Sequence, residues 1–385
     1  MMSDGSSSSV VLAEIPVPLT PSRFFGYVNF ASSCFIDSVL VALLLPRYND
    51  CIVTVLRDSS TGCEDVKTQL LTEMDTLKRA TEGYRCHVFR TIANRHDTQS
   101  CFNNQRPNSA VDFVRYLFGL IGVADNLCTF QTSQTFYTNR PEVVSAESDI
   151  LKLVKLWLQE PIMTWTAENA HLLDGGADAD EKFTLLNDSS RTSTFSKNGK
   201  GDRRRINPEE TTSIILCQLT EDDEQSTSKG AAVNIFREFL PKVDVAGVVS
   251  GYTGDVWVIL TASRFRNTPP MLLFEVSRVM FTSRGVLKSS ALVNFGHFHQ
   301  ETKQWRIKIN DKSFFLQAVV CHLGSNLANG HYATYVQPHG SPSWYYYDDA
   351  FPNGEMSPLP PSMLNSHPVF PKPDLTGELF FFVAL

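Results

Sequence analysis

The chain has no C-x-x-C pair, no apolar stretch long enough for a bilayer, no excess of basic residues and no internal repeat. Each absence excludes something. Eight cysteines stand at 34, 51, 63, 86, 101, 128, 217 and 321, without the paired spacing of a structural zinc site. Spread over 385 residues, they are too sparse for a secreted disulfide scaffold. Free thiols in a reducing, intracellular compartment are the simpler expectation, cytoplasmic or nuclear. The longest apolar runs, "VLVALLLP" and "LFFFVAL", fall far short of a membrane span. Residues 1–22 lack the basic start and apolar core of a signal peptide, and read as a disordered Ser- and Pro-rich tail. A net charge of −7 argues against nucleic acid as the main partner, because such binding needs a basic face.

What the chain does have is material for a core. Hydrophobic residues make up 42% and charged residues 19%, enough apolar surface for one large domain or two small ones. Residues 35–45 are apolar almost without interruption, as in a buried helix. In "CEDVKTQLLTEMDTLKRA", 63–80, Val66, Leu70, Leu71, Met74 and Leu77 recur at helical spacing. Residues 109–122 predict another helix with Ser109 as N-cap, and 148–159 a further one, so the first 160 residues read as mainly helical. The polar, Gly-rich stretch 174–211 reads as a loop or disordered insertion; its "KNGKGDRRR" is a solvated segment or a nuclear import signal. From 212 onward, short β-rich runs dominate, from "TSIILCQLT" to "ELFFFVAL". Helices first and antiparallel-looking strands second make an α+β protein.

Two places carry the residues of thiol chemistry. A nucleophilic cysteine needs an ionisable thiol, a base within hydrogen-bond reach, and a third group that fixes the tautomer of the base. Cys34 stands where "SS" gives way to the helical run, so a helix start would serve its sulfur. A core cysteine is the alternative. Far downstream, "HYATYV" and "SWYYYDD" flank a turn at "PHGS". Such a hairpin can set His331 beside Asp348, leaving the other imidazole nitrogen to face a thiol. A strand histidine and a turn aspartate are the bland reading.

The two places together resemble a known family. "GYVNFASSCFIDSVL" is similar to the cysteine box of the ubiquitin-specific proteases, a family of deubiquitinases, with Gly26, Asn29, Cys34, Phe35 and Ser38 on matching positions. "HLGSNLANGHYATYV…WYYYDDA" resembles their histidine box through His322, Gly324, Gly330, His331, Tyr332, Trp344 and Asp348. "PPMLLFEVSRVMF" resembles an intermediate strand block, with Arg278 on its basic position, and "NSAVDFVRYLF" a helix block. The blocks run in family order from about residue 24 to 385.

The resemblance implies a fold and a reaction. The fold would be a papain-like cysteine protease arranged as a hand: helical thumb about 24–160, fingers and polar insertion about 160–245, β-rich palm about 245–385. The reaction would be hydrolysis after the C-terminal glycine of ubiquitin or a ubiquitin-like modifier, with ubiquitinated proteins as partners and no cofactor or metal. Cys34 would be the nucleophile and His331 its base. Asp348 would orient His331, and neighbouring Asp349 could share that work. Asn29 would donate to the oxyanion, or else serve as a turn residue. Asp112 would meet an arginine of the ubiquitin tail, or be a surface charge. Gly330 and Tyr332 would flank the narrow glycines of that tail.

Departures from the family pattern keep other readings open. Zinc-binding pairs are absent from the fingers, Pro107, Asn108 and Ser109 replace Gln-Gln-Asp, and Ala31 replaces a common glycine. Asp37 stands where the family has asparagine. Three residues past Cys34 on one helix face, it either turns to another partner or disfavours the thiolate. A catalytically decayed ubiquitin-binding scaffold is therefore the second reading, and a papain-like protease of other specificity the third.

Overall fold

The structure, a computed structural model, describes residues 23–30, 32–58, 60–97, 102, 108–123, 127–139, 194–198, 202–240, 242–246, 256–282, 285–310, 312–324, 330–366 and 368–384. The expected N-terminal tail and the helix expected near 148–159 lie outside the described residues.

Five helices come first: Cys34–Leu44 (α1), Asp50–Arg57 (α2), Glu64–Arg79 (α3), His87–His96 (α4) and Ala110–Ile121 (α5). Apolar on nearly every side, α1 is buried along its whole length. It is the central element on which α3, α5 and the large sheet pack. The stripe on α3 is buried at Val66, Leu70, Met74 and Leu77. Ser109 caps α5 by accepting the Asp112 N–H, and Gly122 ends it at φ 71°, a left-handed position that glycine takes without strain. Phe35 of α1 meets Phe113 of α5 edge to face at 5.8 Å.

The large sheet has nine strands. Its main path runs Ser357–Leu359, Trp344–Tyr347, His331–Val336, Lys312–Leu323, Gly377–Ala384, Met271–Ser277, Ile215–Gln218. All neighbours pair antiparallel except the last two strands, which are parallel. The two-residue period of a strand divides its apolar residues between two cores. Leu379, Phe381 and Val383 face the helices, while Phe380 and Phe382 face a second core with Trp344 and Phe274. The strand "GELFFFVA" therefore reads as one unbroken apolar run because both of its faces are covered. Arg278 interrupts the next strand pair. It is buried, and its guanidinium donates to the carbonyls of Gly377, Ala291 and Asp374.

A five-stranded sheet corrects two expectations. It runs Thr194–Asn198, Asp202–Thr212, Cys128–Asn139, Val256–Phe265, Lys242–Ala246. The first 160 residues are mainly helical where described, as expected, but they also hold the long strand "CTFQTSQTFYTN", rich in the threonine and aromatic residues that favour one. The stretch expected to be a loop contributes two strands, Arg203, Arg204 and Arg205 among them. Ladder hydrogen bonds need backbone only, so a polar sequence can join a sheet where its side chains need no core. Boundaries at about 160 and 245 would divide this sheet, whose strands come from both sides of each. Among the described residues it carries no zinc-ligand pairs; Phe130, Phe239, Phe265 and Phe314 meet ring to ring. No helix among the described residues is long and apolar enough to cross a membrane.

Candidate active site

Cys34 is the first residue of α1 and is buried, with 8% of its surface exposed. The positive end of the helix peptide dipoles lies beside its sulfur. His331 opens the strand His331–Val336, and Asp348 follows its hairpin partner, Trp344–Tyr347. The turn between them closes through the Ser341 N–H on the Pro338 carbonyl. A side-chain hydrogen bond also ties the helix to the strand His331–Val336: the Thr334 hydroxyl donates to the Ser38 carbonyl at 3.0 Å.

The structure brings Cys34, His331 and Asp348 together. His331 Nε2 lies 2.7 Å from Asp348 Oδ1 and 3.5 Å from Asp349 Oδ1. The Cys34 side chain lies close enough to the same imidazole to perturb it. The Asp348 hydrogen bond, followed by the interaction with Cys34, pushes His331 up to about 10 against the opposing effect of burial. At neutral pH the ring is therefore an imidazolium. Burial raises the Asp348 carboxyl, but hydrogen bonds from His331 and the Ala350 N–H outweigh it, and the net shift is downward. Tyr346 adds a third donor to Asp348, at 3.3 Å.

Asp349 is held differently. It is buried, and Oδ2 accepts the Asn29 side-chain amide at 2.8 Å. The Asn29 backbone N–H donates to the Asp349 carbonyl at 3.0 Å. Burial, then the charge of Asp37, push the Asp349 carboxyl up to about 7. Asn29 is exposed, and an amide nitrogen has two hydrogens, so one remains for an oxyanion.

Asp37 takes the first of the two courses open to it. It is fully buried on α1, where it accepts from the Ser33 hydroxyl at 2.6 Å and from Arg90 of α4. Burial raises this carboxyl, and Arg90 opposes the shift. Arg90 and Ser33 were not singled out from the sequence. Arg90 lies 53 positions from Asp37, and nothing local marks it.

The expected substrate contacts are placed less uniformly. Asp112 is exposed on α5 and lies 3.5 Å from Arg115, one turn on. Tyr332 is buried; its hydroxyl donates to Glu378 at 3.4 Å, and its ring stacks on His322 at 4.8 Å. Gly330 is exposed, and a Cβ there would lie 1.9 Å from His322 Nε2. Of the altered family block, Asn108 and Ser109 precede α5, while Pro107 and Ala31 lie outside the described residues.

His331, Asp348 and Asp349 offer ligand atoms within 4.8 Å of one another, the spacing a divalent ion would need. The arrangement suits proton transfer: a sulfur, a ring that carries a proton, and a carboxylate behind it.

Two comparisons bear on this site. The family model for ubiquitin carboxyl-terminal hydrolase matches residues 25–355, a span that holds Cys34, His331, Asp348, Asp349 and Asn29. No curated protein matches the chain.

Proposed function

The chain belongs to the ubiquitin carboxyl-terminal hydrolases, papain-like cysteine hydrolases of ubiquitin and its conjugates, and from that premise we propose that it is an isopeptidase working through Cys34, His331 and Asp348. The observation that carries the reading is the imidazole of His331, bonded to Asp348 at 2.7 Å and within interaction range of Cys34. Sulfur and base come from residues almost three hundred positions apart, on a helix and on a strand, and the fold brings them into one site.

In this mechanism Cys34 Sγ attacks the carbonyl carbon of the terminal glycine as a thiolate. The carbonyl oxygen becomes an oxyanion, stabilised by the second hydrogen of the Asn29 amide. His331 gives its proton to the leaving lysine amine, and the C–N bond breaks to leave a thioester. Water then attacks the thioester while His331 takes its proton; the C–S bond breaks, the terminal glycine leaves as a carboxylic acid, and the Cys34 thiolate and protonated His331 are restored. Asp348 holds the ring with Nε2 engaged and Nδ1 toward the sulfur. Asp349 serves Asn29, and His331 only through its charge. A neutral amide aimed at the oxyanion is useful only if it is fixed, and its two bonds to Asp349 supply that.

Asp112, Gly330 and Tyr332 belong to the substrate channel in this reading. Seven free cysteines among the described residues support a reducing, intracellular setting. The modifier is ubiquitin or a close relative with the same narrow tail.

The test is turnover of a fluorogenic amide on the C-terminus of ubiquitin, run beside the same amide on related modifiers. Hydrolysis of at least one, abolished in Cys34→Ala, is the expected result. Binding of the modifier without hydrolysis by the wild-type chain would favour the decayed scaffold and refute the isopeptidase.

A further inference from the structure

The loop that carries Asn29 to Cys34 is a strained turn. Ser32 sits at φ 60°, a left-handed conformation that costs a residue with a Cβ about 1–2 kcal/mol. Such a turn keeps its shape only if its surroundings over-determine it. Asn29 is tied to Asp349 on one side. On the other side lies a closed circuit through a single residue, Phe30. The Phe30 N–H donates to Ser33 Oγ at 3.0 Å. Ser33 Oγ donates to Asp37 Oδ2 at 2.6 Å. Arg90 Nη2 donates to Asp37 Oδ1, and Arg90 Nη1 donates back to the Phe30 carbonyl at 3.0 Å. Both polar groups of Phe30 are thereby held from α1 and α4, and the Arg90 guanidinium lies 5.9 Å from the centre of the Phe30 ring.

We propose that Arg90 is a positioning residue of the catalytic site: its guanidinium, paired with Asp37, fixes the Phe30 carbonyl and with it the turn that presents Asn29 to the oxyanion. The inference rests on the reading of Asn29 as oxyanion donor. The side chains of Arg90 and Asp37 are 1% and 0% exposed, so each charge depends on the other for compensation. An asparagine at 37 could accept from Ser33 but would leave the arginine unbalanced. Aspartate at 37 and arginine at 90 are thus one device. The acid that seemed to threaten the thiolate is paired with Arg90 and put to work on the loop.

A buried ion pair also matters to stability, so the test must separate the two roles. Thermal midpoint, kcat and KM on the fluorogenic ubiquitin amide are compared for the full chain, Arg90→Met, Arg90→Lys, and the double variant Asp37→Asn/Arg90→Met. Arg90→Met leaves a buried, uncompensated carboxylate and is expected to lower the midpoint and kcat together. The double variant has no unpaired charge, so it stays foldable and its midpoint recovers. Its Phe30 carbonyl is still unheld, so kcat stays about tenfold or more below wild type with KM within about threefold, a fraction of the loss known for removing an oxyanion donor outright. Arg90→Lys keeps the charge but cannot reach both acceptors; it is expected to keep most of the midpoint and lose kcat. A double variant with wild-type kcat, or a loss confined to KM, overturns the inference while leaving the isopeptidase intact. A wild-type chain that turns over none of the modifiers removes the proposed function, and the inference with it.

Discussion

Replacing Asp348 by asparagine removes one charge and keeps the shape of the site. In the native site the 2.7 Å bond from His331 Nε2 is the largest reason the imidazole is raised from 6.5 to about 10. An amide cannot supply that charge, and the ring falls back toward its ordinary value. A fall of about 3 units would be worth about 4 kcal/mol at 1.36 kcal/mol per unit. The His331 side chain is 30% exposed, and water screens a good part of this, so about 2 kcal/mol, or about thirtyfold, is the better figure. Asp349 Oδ1, at 3.5 Å from the same nitrogen, remains and limits the loss. Asp348→Asn should therefore lower kcat on the ubiquitin amide about 10- to 100-fold, with a smaller change in KM. The assay is steady-state turnover paired with NMR titration of the His331 ring, which should titrate well below its native position. An Asp348→Asn chain with native kcat and a native imidazole titration would refute the role given to the carboxylate.

Other outcomes follow from the same contacts. Gly330→Ala places a Cβ where His322 Nε2 stands, and should lower kcat more than tenfold by displacing the neighbouring His331, since misplacing a reacting group by about 1 Å costs about 100-fold; turnover within twofold of wild type would show that the loop simply yields. Thr334→Val removes the hydroxyl bonded to the Ser38 carbonyl and should cost about 1–2 kcal/mol by denaturant unfolding; an unchanged midpoint would show that this link contributes nothing. Phe35→Ala should cost about 3–5 kcal/mol, because the ring is wholly buried against Phe113. Stability should also depend on pH with a definite sign. His331 is raised, so its contribution is complete below its ordinary value of 6.5 and is lost as pH rises through about 10. Asp349 is a carboxyl raised to about 7, so its burial is unfavourable above that pH and relieved as pH falls toward 4. The stability advantage of wild type over His331→Gln should shrink between pH 6.5 and 10, and a constant difference would contradict the shift.

The legible parts of this protein are those where one physical requirement dominates a short stretch. Helix α1 has to be apolar all round because it is enclosed, and "CFIDSVLVALL" shows this with two exceptions, Asp37 and Ser38. The hairpin of His331 and Asp348 could be read because strand, turn and strand follow directly in the chain. The strand Cys128–Asn139 is legible in its threonines and aromatics, although it follows five helices in the chain. Asp202–Thr212 was not readable, since its arginines belong to a ladder whose bonds are all backbone. Helices α2 and α4 are short, eight and ten residues, so their stripes have little room to repeat. Least visible was the compensation of Asp37. A departure from a family pattern can be seen in one chain, but the arginine that makes it tolerable lies on another helix. Only the fold shows that they touch.

The most direct measurement is the site of covalent capture by ubiquitin carrying an electrophile in place of its terminal carboxylate. The full wild-type chain should gain one ubiquitin, and peptide mass spectrometry should place the bond on Cys34, with Asp348→Asn reacting more slowly. Capture at any of the other cysteines, or none while Cys34 stays free and the protein folded, would contradict the account.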